Sequence, residues 1–228
     1  MSILVFEHVV ISDHGALALP INLSLAAGER LVIFGPSGSG KSALLKVAAG
    51  IREPMDGDVR LSAGGRAMPV GYVARDGGLV NNLTLLDNAA LPLLYHRTLE
   101  RPVASEKARA LLAELGVERA AGLRPAAASV SSRRLTQLAR AWLAAPALFV
   151  LESPLDEIDA SRAKAVRRML DWIKEAPGVC AILGTGSPKP YLEWGTQFML
   201  VDDERVRHFP SLDELLGDPD PEIKLFTA

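Results

Sequence analysis

Gly35-Pro36-Ser37-Gly38-Ser39-Gly40-Lys41-Ser42 fits the phosphate-loop pattern G-x-x-x-x-G-K-[ST] at every fixed position. Arg30 to Phe34 (RLVIF) is a short apolar run that predicts a buried strand entering the loop. Ala43 to Ala49 (ALLKVAA) predicts the helix that leaves it. In that setting the glycines let successive backbone N–H groups turn inward around an anion. The helix N-terminus adds the positive end of its dipole, from Ala43 onward. Lys41 reaches the outer phosphates, and the Ser42 hydroxyl is a ligand for Mg²⁺. A Gly/Ser-rich turn that happens to carry a lysine would not need a strand before it and a helix after it. Nucleotide binding is therefore the firmest reading of the chain.

The bulk numbers bound the rest. A chain of 228 residues has room for a sizeable core, and 49% hydrophobic with 23% charged residues is ordinary for a globular protein. A formal net charge of −2 gives no global field to recruit nucleic acid or anionic lipid. The one cysteine, Cys180, lies in the apolar run VCAIL. It cannot form an internal disulfide, which predicts a reducing compartment and an inert, buried thiol. Met1 to Val10 lacks the basic start and long apolar core of a signal peptide. No apolar run approaches the roughly 18 residues of a membrane span, so any membrane contact is expected to come through another chain.

Further strands are predicted over Ile3–Ile11, Pro20–Leu25, Val59–Leu61, Met68–Val73, Ala147–Leu151 and Val179–Leu183. Gln197–Val201 and Arg205–Phe209 predict a hairpin around Asp202-Asp203. Asp56-Gly57-Asp58 reads as a turn, and Asp76-Gly77-Gly78 as a break. Helices are predicted over Leu83–Tyr95, Ser105–Leu115 (ended by Gly116), Arg133–Ala144 and Ser161–Lys174. Ala126 to Ser132 reads as a small-residue loop. The alternation predicts an α/β protein with a parallel central sheet. It is interrupted by a helical insert over about 77–145 within a single domain, 1–228. The acidic tail, about 211–228, is expected to be peripheral.

With the loop, the insert and the apolar ALFVL strand in hand, the chain resembles the ATP-binding subunit of ABC transporters from about Ile3 to Phe209. The run Leu91-Pro92-Leu93-Leu94-Tyr95-His96 is most similar to ATPases of bacterial Mce-associated lipid-trafficking transporters. The resemblance implies a P-loop NTPase fold of ABC type with an N-terminal antiparallel part. It implies ATP and Mg²⁺ as ligands, with Ser42 and Glu152 at the metal. It also implies a homodimer or heterodimer of ATP-binding subunits under integral-membrane permease subunits at the inner face of the cell membrane. Neither nucleic-acid binding nor direct membrane insertion is implied.

The family's catalytic motifs are altered. The Asp-Glu-Pro ending its catalytic strand reads Glu152-Ser153-Pro154 here. Glu152 keeps the magnesium-associated carboxylate, while Ser153 replaces the general base, and a hydroxyl cannot take that proton near neutral pH. The Q-loop glutamine aligns with Arg75, whose guanidinium donates but cannot accept. The switch histidine aligns with Gly186. The signature Leu-Ser-Gly-Gly-Gln aligns with Ala128-Ser129-Val130-Ser131-Ser132, so Ser129 survives but both glycines are gone. Val130 is expected to obstruct the approach to a partner's γ-phosphate. Only Ser12, Asp13 and His14 fall near the place of the adenine-stacking aromatic. Asp159 matches the interface aspartate. Two readings follow. In one, the chain is a structural or regulatory subunit that binds Mg-ATP with little turnover. In the other, it is a transport ATPase using Glu152 as a substitute carboxylate. Family members acting on DNA or ribosomes fit poorly, since the chain carries neither a second ATPase copy nor coiled-coil arms.

Overall fold

The computed structural model describes residues 2–11, 20–61, 68–76, 78–96, 98–202 and 205–227. Ser12, Asp13, His14, Gly77 and Asp203 of the sequence expectations lie outside these residues.

The central sheet is built from β3 (Arg30–Phe34), β5 (Val70–Val73), β6 (Leu148–Glu152), β7 (Cys180–Thr185), β8 (Gln197–Val201) and β9 (Val206–Phe209). Their order is β5-β6-β7-β3-β8-β9, parallel except for β9, which pairs antiparallel with β8. Every residue of β6 and β7 is buried, as both faces of a covered parallel sheet require. On β3, Leu31 and Ile33 join one core, and Val32 and Phe34 the other. The first core is closed by helix α1 (Lys41–Ala48) and by a second sheet of β2 (Ile21–Ala26), β1 (Ser2–Val10) and β4 (Asp56–Leu61), all antiparallel. Against the other face lie α4 (Val130–Leu143) and α5 (Ala160–Glu175). Two further helices, α2 (Leu85–Tyr95) and α3 (Arg101–Glu114), pack on α4 and on each other. Among the described residues, no helix is long and apolar enough to cross a membrane.

Asp56-Gly57-Asp58 is not a turn but the first half of β4. Gly57 sits at φ 84, opposite a bulge in β1, where His8 also has a positive φ. A Cβ on Gly57 would lie 2.3 Å from the His8 carbonyl oxygen. The sequence Asp-Gly is satisfied here by a strand irregularity rather than a chain reversal.

Helices α3 and α4 start well before the predicted residues. Pro102 stands in the first turn of α3, where its missing N–H is not needed. Ser129 caps α4 by accepting from the Ser132 amide at 3.1 Å, so Val130 to Ser132 are helical rather than loop.

The acidic tail is docked rather than peripheral. It forms α6 (Leu212–Leu216) and α7 (Pro221–Thr227), with Leu215 and Ile223 fully buried. The Phe226 ring meets Phe34 edge-on, with centroids 5.4 Å apart. Arg205 bonds to Asp220 and Glu222, and Arg207 to Asp218 and Asp220, which accounts for the tail's acidity.

Cys180 opens β7 with no exposed surface, and burial pushes its thiol up to about 12.

Candidate functional site

The loop 35–42 lies at the C-terminal end of β3, between the ends of β7 and β8. This is where open α/β sheets place their ligands. Gly35, at φ 145, packs so closely on β8 that a Cβ would stand 2.0 Å from the Val201 carbonyl oxygen. Gly40 leads directly into α1. The Lys41 ammonium donates to the carbonyl oxygens of Gly35 (2.9 Å) and Pro36 and reaches Ser39 Oγ at 3.3 Å. Its burial, reinforced by the charge of Arg75 and opposed by Glu152, lowers its pKa from the ordinary lysine value. A polyanion in the cleft would reverse that shift.

Glu152 is the hub of the cleft. Ser42 donates its hydroxyl to Oε1. Oε2 accepts from the Tyr72 hydroxyl at 3.1 Å and from the Arg75 amide at 3.2 Å. Burial and the neighbouring carboxylate push the Tyr72 phenol well above its usual range, so it stays a donor. A hydroxyl and a carboxylate that meet in this way are hard oxygen ligands suited to Mg²⁺ bridging a phosphate chain. Among the described residues no group of three His, Cys, Asp or Glu could hold a metal unaided. The donor set therefore fits a cation shared with phosphate and water.

The cleft, about 290 Å³, brings together Lys41, Ser42, Arg75, Glu152, Ser153, Asp156 and Gly186. Ser153 is buried, with a left-handed backbone (φ 45) and its amide bonded to the Gly184 carbonyl at 2.8 Å. At Gly186 a Cβ would meet only open space. Ser129, Val130 and Ser131 do not line this cleft. They form the N-terminus of α4, where Val130 is exposed and the Ser131 hydroxyl donates to Asp159 Oδ2 at 2.6 Å. Asp159 in turn caps α5 by accepting from the Arg162 amide at 2.9 Å. Its carboxyl is held at about 2, chiefly by the hydrogen bond from Ser131 and then by that from Ser161.

Three site residues escaped the sequence reading. Tyr72 holds Glu152, and Asp156 adds a second carboxylate to the cleft. Buried Arg134 extends from α4 to the carbonyl oxygens of Glu152 (2.7 Å), Ser153 (3.1 Å) and Arg75 (2.6 Å). The one signal for it was a charge four residues before Leu138, on the same face of α4.

The profile of the ABC transporter family matches residues 19–156. The sulfate/thiosulfate import ATP-binding protein CysA of Caulobacter vibrioides is 30% identical over 209 residues, covering 88% of this chain and 62% of that protein. The protein of the same name from Bradyrhizobium diazoefficiens is 30% identical over 211 residues, covering 87% and 60%. The chain thus spans about three fifths of the length of the curated relatives it matches. Among solved structures, the ATP-binding cassette MJ0796, a dimer bound to ADP and Pi, superposes with a TM-score of 0.78 at 23% identity over 90% of this chain and 97% of that one. An ATP-binding subunit of an ABC transporter superposes with a TM-score of 0.81 at 19% identity over 100% and 95%. At these identities the superpositions establish the fold.

Proposed function

The chain belongs to the ABC transporter ATP-binding domain family, and on that premise we propose that it is the nucleotide-binding subunit of an ABC import complex, binding Mg-ATP but hydrolysing it slowly. The observation that carries this reading is the convergence of Lys41, Ser42 and Glu152 on one cleft. Bound ATP would place its outer phosphates at Lys41, and Ser42 and Glu152 would hold Mg²⁺, which neutralises developing charge. Slow turnover follows from Ser153, Gly186 and Arg75, which remove the family's base, histidine and amide. Loss of a base alone lowers rates by roughly 10²–10⁴. Both oxygens of Glu152 are engaged by Ser42, Tyr72 and Arg75, which favours a metal-holding role over that of a substitute base.

In a head-to-tail dimer, Ser129 to Ser131 and Asp159 would face the partner's phosphate loop. Val130 would keep the two apart. The helical insert, about 77–145, would meet the permease at the membrane's inner face. An apolar groove of about 720 Å³ beside α2, lined by Met68, Pro92, Leu93, Leu99, Lys107 and Leu143, suits that contact. Lipid trafficking rests on the run Leu91–His96 alone. The relatives are named for sulfate/thiosulfate import, so we favour an importer whose cargo is selected by its other subunits.

The test is calorimetry with Mg-ATP and phosphate release on the same samples, with Lys41→Ala as control. The reading predicts saturable binding that Lys41→Ala weakens at least tenfold, with little release. Binding indifferent to Lys41→Ala would refute it. Rapid release abolished by Glu152→Gln would instead make Glu152 the base.

A further inference from the structure

Among the described residues, two carboxylates line the cleft, and only one is accounted for. Glu152 is held by three donors and belongs to the metal position. The other is that of Asp156, half-buried on the wall of the same cleft. Its place follows from the backbone. Ser153, in the left-handed region, starts a turn that closes when the Asp156 amide donates to the Ser153 carbonyl at 3.0 Å. The turn brings residue 156 back to the cleft wall that residue 153 also lines. Serine is shorter than glutamate, so it leaves room in front of itself for a water molecule. The guanidinium of Arg134, fixed by the carbonyl oxygens of Glu152, Ser153 and Arg75, lies close enough to Asp156 for their charges to attract.

We propose that Asp156 accepts the proton of the water that attacks the terminal phosphate, in place of the glutamate that Ser153 replaces. The inference rests on the reading that this cleft binds Mg-ATP. In the step, the water oxygen bonds to the γ-phosphorus. The bond from that phosphorus to the bridging oxygen breaks, and ADP keeps the electron pair. The water proton passes to the Asp156 carboxylate and on to solvent as inorganic phosphate leaves. The slow turnover of the chain runs through this residue.

The test compares the full chain with Asp156→Asn, Ser153→Glu and the double variant, by Mg-ATP calorimetry and by phosphate release. Melting curves verify folding. Asp156→Asn is expected to bind Mg-ATP within about twofold of the parent and to release phosphate roughly 10- to 100-fold more slowly. With Ser153→Glu in place, adding Asp156→Asn should change the rate by less than about twofold, because the glutamate then takes the proton. Binding retained with an Asp156→Asn rate equal to the parent's overturns the proposal alone. Binding retained with no release above a protein-free blank in the parent chain also overturns it alone. Absence of Mg-ATP binding in the parent chain overturns the nucleotide reading and this inference together.

Discussion

The guanidinium of Arg134 donates to the main-chain oxygen of Glu152 at 2.7 Å, tying α4 to the end of β6. Its other bonds reach Ser153 and Arg75, so one side chain satisfies carbonyls from two segments that line the cleft. Removing a buried donor strands its acceptors. Arg134→Met should lower stability by about 2–4 kcal/mol in urea titration. A loss under about 0.5 kcal/mol would mean that water replaces all three bonds.

Asp159 makes one part of stability acid-sensitive. Its folded pKa is about 2 against an ordinary 3.8. A depressed carboxyl contributes fully above the unfolded value, and that contribution fades as pH falls from about 3.8 toward 2. Asp159→Asn should flatten the melting temperature in this window, and Ser131→Ala should raise the Asp159 pKa in an NMR titration. An Asp159 titration unmoved by Ser131→Ala would contradict the assignment of Ser131 as the main cause.

Two glycines at the cleft should respond oppositely to substitution. Gly35→Ala forces a Cβ onto the Val201 carbonyl and is expected to cost more than about 3 kcal/mol. Gly186→His enters open space and should melt within a few degrees of the parent. A Gly186→His chain that fails to fold would show that this position is closed.

Ile223 anchors the tail with no exposed surface, so Ile223→Ala should cost about 2–4 kcal/mol by chemical denaturation. The Arg205 and Arg207 bridges are partly exposed and should each contribute at most about 1 kcal/mol, declining with added salt.

The phosphate loop was legible because its signal is local: glycines, a lysine and a serine at fixed spacing between two apolar runs. So were β6 and β7, since double-sided burial writes itself as unbroken apolar sequence. What misled was chemistry settled by distant partners. Gly57 looks like a turn until β1 presents its bulge at His8. The tail looks solvated until Arg205 and Arg207 reach its carboxylates. Ser131 looks like loop because its partner, Asp159, lies 28 residues on. Arg134 and Tyr72 gain meaning only when α4 and β5 meet the end of β6, and no spacing along the chain announces that meeting.

The thiol of Cys180 lies on β7, between β6, which carries Glu152, and β3, which enters the phosphate loop. An alkylating reagent can reach it only when the core beneath α1 and the second sheet opens. Labelling at this single sulfur therefore works as a clock wired into the centre of the molecule. It counts how often the scaffold beneath the cleft comes apart, with no foreign probe attached. A ligand that grips Lys41 and Glu152 together would make that clock run slow.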